Sequence, residues 1–213
     1  MSPHPNTSGT MQKYVALLGI MAAACEPGQP PVRPEDLKGP RLVNAIPRPT
    51  ITLQRAPGQP YDLAAESKGK LTFLFFGYTN CPDVCPLHMA NLAGALKSLP
   101  ADTREKIEVV FVTTDPARDT PERLKSWLAQ FDSSFVGVTG DSAVLEAAQR
   151  RLGMPAAMMD AGKPDSGGYT MSHGAHLWAF TPDDSAHVVY PMGIQREHLA
   201  ADILLLLRLW PGR

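Results

Sequence analysis

Cysteine is scarce in this chain. There are three among 213 residues, an odd number that internal pairing cannot use up. A chain of this length can bury a real core and needs no disulfide framework to stay folded. Basic blocks are also missing: the formal net charge is -1 and no Lys/Arg run stands out, which argues against a nucleic-acid partner. The longest apolar run near the C-terminus, residues 203–207, is too short to cross a bilayer. No internal repeat is evident. Downstream of Cys25 only Cys81 and Cys85 remain, and typical peroxidase patterns are absent, which sets peroxidase chemistry aside.

What is present is an ordinary globular composition, 44% hydrophobic and 19% charged, consistent with one domain. The 21 prolines are spread over loops and the N-terminal stretch. Residues 1–25 read as a signal segment. Met11-Gln12-Lys13 opens a short basic start, an apolar stretch of about a dozen residues follows, and small residues lead to Cys25. The pattern resembles a bacterial lipoprotein signal, with cleavage before Cys25 and lipid on its sulfur. A secreted or signal-anchored protein is the alternative. Either way the domain lies outside the cytoplasm, where a dithiol meets oxidising conditions. Residues 26–41 are rich in Pro, Gly and charge and read as a flexible tether, leaving 42–213 as the folded domain.

Within that domain the apolar runs at 71–76 and 107–112 predict central strands covered on both faces. Shorter strands are expected at 51–54, 61–63 and 135–138. Residues 175–180 and 187–190 read as the arms of a hairpin turning at Pro182-Asp183-Asp184-Ser185. A helix with Leu87, Met89, Leu92 and Leu96 on one side follows the first central strand. Thr120 and Pro121 cap and open another. Short and long helices are expected at 142–152 and 197–210. Strand and helix alternation ending in a hairpin and a helix is the order of an α/β thioredoxin-like sandwich, three layers around a central mixed sheet with an added hairpin.

Chemistry concentrates in Gly77-Tyr78-Thr79-Asn80-Cys81-Pro82-Asp83-Val84-Cys85-Pro86. A strand delivers two thiols, four residues apart, to the start of a helix. Pro86 at the first helical position would make Cys85 the cap residue. The positive potential and free N–H groups of a helix start favour thiolate, the form that attacks disulfides and binds metals. Three residues separate the cysteines, where thioredoxin-like redox sites usually have two. A disulfide, thiol exchange and soft-metal binding all remain open, and thiolates select copper(I), zinc or iron–sulfur clusters. Two cysteines do not close a zinc site without further ligands.

A third ligand would come from His88, His173, His176, His187 or His198, since His4 precedes the signal. His187 and His198 read as surface residues, and the helix can turn His88 away. His173 and His176 frame a strand entry and face opposite ways in extended geometry, so one of them at most faces the dithiol. Met171, two before His173, could share its face and offer a weak thioether. Asp83, Asp115 and Asp119 read as turn or helix-start residues or as supports of the site. Arg118 is a partner for one carboxylate, and Trp127 and Trp210 read as packing residues.

The cysteine segment, with Asp115-Pro116-Ala117-Arg118-Asp119-Thr120-Pro121 and Phe135-Val136-Gly137-Val138-Thr139-Gly140, resembles the Sco (SenC) family. These are bacterial and mitochondrial proteins that assist copper insertion into cytochrome c oxidase. The resemblance covers roughly residues 51–209. It implies Cu(I), with Cu(II) as a further oxidation state, bound by Cys81, Cys85 and a histidine. Counting back from Pro182-Asp183 places that histidine at His173; Tyr169 falls where the family often has an aromatic. Ser172 stands where the family has Asp, and Gly174 where it has Ser or Thr. The implied function is that of a copper chaperone on the periplasmic side of a bacterial membrane, lipid-anchored through Cys25. Its partner would be the copper-bearing subunit of cytochrome c oxidase or another periplasmic copper protein. The alternative is a thiol–disulfide oxidoreductase in which Cys81 and Cys85 reduce the cysteines of a copper acceptor.

Overall fold

The computed structural model describes residues 31–56, 59–160 and 168–212, besides Met1. The expected signal segment and Cys25 lie outside the described residues. From Val32 onward the chain forms one compact unit. In chain order its elements are β1 (Arg41–Pro47), β2 (Thr52–Ala56), β3 (Gln59–Asp62), α1 (Leu63–Glu66), β4 (Leu71–Gly77), α2 (Val84–Lys97), α3 (Ala101–Arg104) and β5 (Ile107–Thr113). There follow α4 (Pro121–Leu128), β6 (Val136–Val138), α5 (Ser142–Arg151), β7 (Met158–Asp160), β8 (Thr170–Ser172), β9 (Leu177–Phe180), β10 (Ser185–Tyr190) and α6 (Arg196–Leu209).

Six strands form one sheet in the order β1-β10-β9-β4-β5-β6. β4 and β5 run parallel, from Leu71 opposite Ile107 to Gly77 opposite Thr113. β6 extends that side in parallel, while β9, β10 and β1 are antiparallel additions on the other. Every residue of β4 is buried, because side chains of a central strand alternate between two covered faces. Phe73 and Phe75 enter one core with residues of α2, α4 and α6. Leu74 and Phe76 enter the other, with residues of α5, α1 and the β2–β3 ribbon. Each fully buried Phe contributes roughly 2–3 kcal/mol of transfer free energy. Three layers around a mixed sheet make this the expected α/β thioredoxin-like fold.

The expected strands, helices and hairpin are found within a few residues of their places. The β9–β10 turn holds Asp184 at φ 63°, a conformation that Asp tolerates better than most residues. Leu63, expected in a strand, instead opens α1, because the Asp62 side chain accepts from the Ala64 and Ala65 N–H groups and caps a helical turn there. No strand was expected over β1, and residues 26–41, which lead into it, were expected to be tether. The chain is in fact fixed ahead of residue 42, since Asp202, fully buried on α6, accepts hydrogen bonds from the N–H groups of Lys38 and Gly39 and from the Tyr190 hydroxyl. A buried carboxylate needs such partners, so the segment entering β1 belongs to the fold.

Candidate metal centre

The parallel strands β4 and β5 end side by side, and the loops leaving them build the site. At the end of β4, Gly77 lets the backbone pass directly beneath the thiols: a Cβ there would lie 2.7 Å from Cys85 Sγ and 2.8 Å from Phe75 Cε1. The chain then turns, with Cys81 N–H donating to the Tyr78 carbonyl at 3.2 Å. Helix α2 begins at Val84, with Asp83 in the cap position and making no side-chain cap bond. Cys85 is therefore the second residue of the helix and Pro86 the third, not the cap and first residue as expected. Proline is tolerated there because none of the first N–H groups of a helix has an intrahelical partner.

Cys85 is fully buried and Cys81 half-buried, and neither is in a disulfide. Cys85 N–H points at Cys81 Sγ at 3.5 Å. The loop entering β9 brings His173 over the pair, its Nε2 3.6 Å from Cys85 Sγ. The two sulfurs and a ring nitrogen of His173 all lie within 4.8 Å of one another. His173 is held edge-on against Tyr78, with ring centroids 5.6 Å apart, and against Phe75 at 6.1 Å. Its Nδ1 faces the Gly174 carbonyl at 3.3 Å. A proton on Nδ1 leaves the Nε2 lone pair directed at the thiols, as a ligand requires.

The two thiols divide their protons unequally. The hydrogen bond from the Cys85 thiol holds Cys81 down to about 3 despite its partial burial, helped by His173 and by main-chain groups at Asp83 and Cys85. Cys85 is driven far up, first by that same bond and then by burial. The pair acts as one thiolate and one thiol sharing a proton, which an arriving cation displaces.

The remaining histidines stand apart. His176 and His198 are exposed, and His187 bonds to Asp183 and stacks on Trp210 with centroids 4.0 Å apart. His88 is buried against Phe75, and burial lowers its pKa to about 4. Among the described residues no carboxylate joins the cluster. The donor set is thus soft, unlike the oxygen cages of Ca²⁺ or Mg²⁺, and one ligand short of a closed zinc site.

Asp115 and Asp119 support the site, one of the roles the sequence reading left open for them. Asp119 was expected to help start α4, which Thr120 does alone by accepting from Arg123 N–H with Pro121 next in line. Asp119 instead turns inward, fully buried, and accepts from Thr79 N–H at 2.9 Å, Thr79 Oγ1 at 2.5 Å and Thr113 Oγ1 at 2.8 Å. It therefore locks the loop that carries Cys81 to the end of β5. Asp115 accepts from the Tyr169 hydroxyl at 2.8 Å and pairs with Arg118. The Arg118 guanidinium lies 3.6 Å from the Tyr169 ring centroid and donates to the Tyr169 carbonyl at 3.0 Å. This clamp fixes the strand that leads to His173.

A thioredoxin-like fold carrying a buried thiol, a half-exposed thiolate and an imidazole within bonding reach of one ion defines a thiol-based soft-metal protein. The SCO1/SenC family profile matches residues 52–208, and the chain belongs to that family. The apo Sco1 structure from Thermus thermophilus is 29% identical with a TM-score of 0.71, covering 80% of this chain and 97% of that one. Bradyrhizobium japonicum ScoI with copper bound is 29% identical with a TM-score of 0.64, covering 76% of this chain and 100% of the other. A Stutzerimonas stutzeri protein named provisionally for copper binding is 39% identical over 134 residues, 61% of this chain and 64% of that protein. The chain spans about a quarter to two thirds of the length of curated relatives it matches.

Proposed function

We propose that the chain is a copper chaperone, which binds Cu(I) through Cys81, Cys85 and His173 and delivers it during assembly of a copper centre of cytochrome c oxidase. The observation that carries this reading is the convergence of two sulfurs and a ring nitrogen within 4.8 Å, with Cys81 half-exposed. Thiolates and imidazole together suit copper, and three protein ligands leave one side for an acceptor to attack. Copper in the Bradyrhizobium relative supports the choice of ion. Copper is the cargo, so the site needs an open path more than saturation. The acceptor would be the copper-bearing oxidase subunit or another periplasmic copper protein, and a lipid on Cys25 would hold the domain at the membrane surface. Among the described residues no helix is long and apolar enough to cross a membrane.

Anaerobic titration of the reduced chain with Cu(I), in competition with a chelator of known affinity, tests the reading. One tightly held ion, much weakened by His173→Ala, is the expected result. Weak or absent binding by the parent chain would overturn it.

The low pKa and partial exposure of Cys81 favour a second reaction at the same atoms. The Cys81 thiolate attacks an acceptor disulfide, forming a mixed disulfide and releasing one acceptor thiolate. Cys85 then attacks Cys81, forming the internal disulfide and freeing the second thiol. Two electrons pass to the acceptor, and a thiol donor must restore the dithiol before copper can bind again. This activity needs no imidazole, so His173→Ala would leave it intact.

A further inference from the structure

We propose that Met159 and Met171 form a weak thioether station for a soft monovalent cation on its way to or from the cysteine–histidine cluster. The proposal rests on the copper reading above. In the β7–β8 pair Met159 lies directly opposite Met171. Residues so placed share one face of a ribbon with neighbouring side chains. Both line a cavity of about 160 Å³ together with Asp115, Gln149 and Tyr169. Met159 is 63% exposed. Met171 is half-buried and packs against the core cluster that contains Cys85 and Tyr78. It also stands two residues before His173. One sulfur of the pair is thus borne by a residue open to solvent, the other by a residue against the wall of the metal centre.

Most of the hard side chains lining this cavity are already engaged: Glu146 pairs with Arg150, and the Thr114 hydroxyl donates to the Gly77 carbonyl. The Tyr169 hydroxyl donates to Asp115, Asp115 pairs with Arg118, and Gln149 Oε1 accepts from Ala157 N–H. Among the described residues neither methionine sulfur has a hydrogen-bond partner, whereas Met154 Sδ accepts from Trp178 Nε1 at 3.4 Å. The soft donors of the cavity are a pair of thioethers, ligands that favour Cu(I) over hard cations. Two thioethers cannot outcompete two thiolates and an imidazole. That weakness suits a station, which must release what it receives.

The test uses Ag(I) as a closed-shell stand-in, with methyl-labelled methionine in the full chain. With Cys81→Ser and Cys85→Ser removing the main centre, Ag(I) should shift the Met159 and Met171 methyl signals together and saturably. Met158, on the opposite face of β7, should stay still. With the cysteines intact, Met159→Leu with Met171→Leu should slow Cu(I) uptake from a weak Cu(I) chelate several-fold at unchanged equilibrium affinity. Leucine conserves volume, so the fold should hold. Absent or unsaturable methyl shifts, or an unchanged uptake rate, would overturn the station. A fall in equilibrium affinity would also overturn it, by making a thioether part of the main centre. Failure of the native chain to bind Cu(I) sinks the copper reading instead, a result separate from the silver arm.

Discussion

Gly77→Ala tests the construction of the site from below. The added Cβ would meet Cys85 Sγ at 2.7 Å, Phe75 Cε1 at 2.8 Å and Phe111 Cζ at 3.0 Å. Comfortable carbon contacts begin near 3.5 Å, so the sulfur or the strand must give by about 1 Å. Both rings are fully buried and cannot swing aside, so overpacking should cost about 1–3 kcal/mol of stability. The same displacement moves Cys85 relative to His173, now 3.6 Å away. If about 1.4 kcal/mol of that strain falls on the bound state, Cu(I) affinity drops tenfold. Gly69→Ala is the control: its φ of 73° imposes backbone strain of about 1–2 kcal/mol, yet nothing lies within 4 Å of the new methyl. It should lower stability and leave copper binding alone. Denaturant melts of the copper-free protein and anaerobic chelator competition measure both quantities. A Gly77→Ala protein as stable as the parent, with equal Cu(I) affinity, would refute the close packing of sulfur on backbone.

Asp119→Ala removes a buried carboxylate that holds three donors, and should destabilise the fold by about 3–5 kcal/mol, read as a lower denaturation midpoint. His88 gives a pH dependence of definite sign. Its folded pKa of about 4 lies below its ordinary value, so below about pH 6.5 the unfolded chain binds the extra proton. Stability should fall by up to roughly 3 kcal/mol between pH 6.5 and 4, and His88→Asn should flatten that slope in pH-resolved melts. Cys25→Ala should shift the protein from the membrane to the soluble fraction on cell fractionation; unchanged partitioning would remove the lipid anchor from the proposal.

The sequence showed its long-range order where burial was one-sided or complete. β4 and β5 were legible because their buried positions are nearly all apolar, with Thr72 and Thr113 the polar exceptions, and α4 because Thr120 and Pro121 announce its start. β1 was not legible: it is an edge strand in which Val43 is fully exposed and Pro47 ends the run, so no alternation marks it. β7 and β8 have three residues each, too few for any period to register. Cys81 and Cys85 declared themselves by spacing, while His173 could be separated from His176 only by resemblance, since the loop between them obeys no simple periodicity. The inward turn of Asp119 had no local signal, because its partners Thr79 and Thr113 lie on other elements.

His173 and Cys85 meet across a separation of 88 residues, one on the first turn of α2 and the other on the loop before β9. In the empty protein that meeting depends on ring packing and on the clamp from Arg118 and Tyr169. An ion shared by both residues turns the contact into a crossbar, and lifting the His173 loop then requires breaking a metal bond. Loaded and empty molecules would therefore differ in the stiffness of this one edge. On the proposed chaperone reading, a partner docking there would sense whether cargo is aboard before it touches the ion, and loss of the crossbar would loosen the grip on that partner.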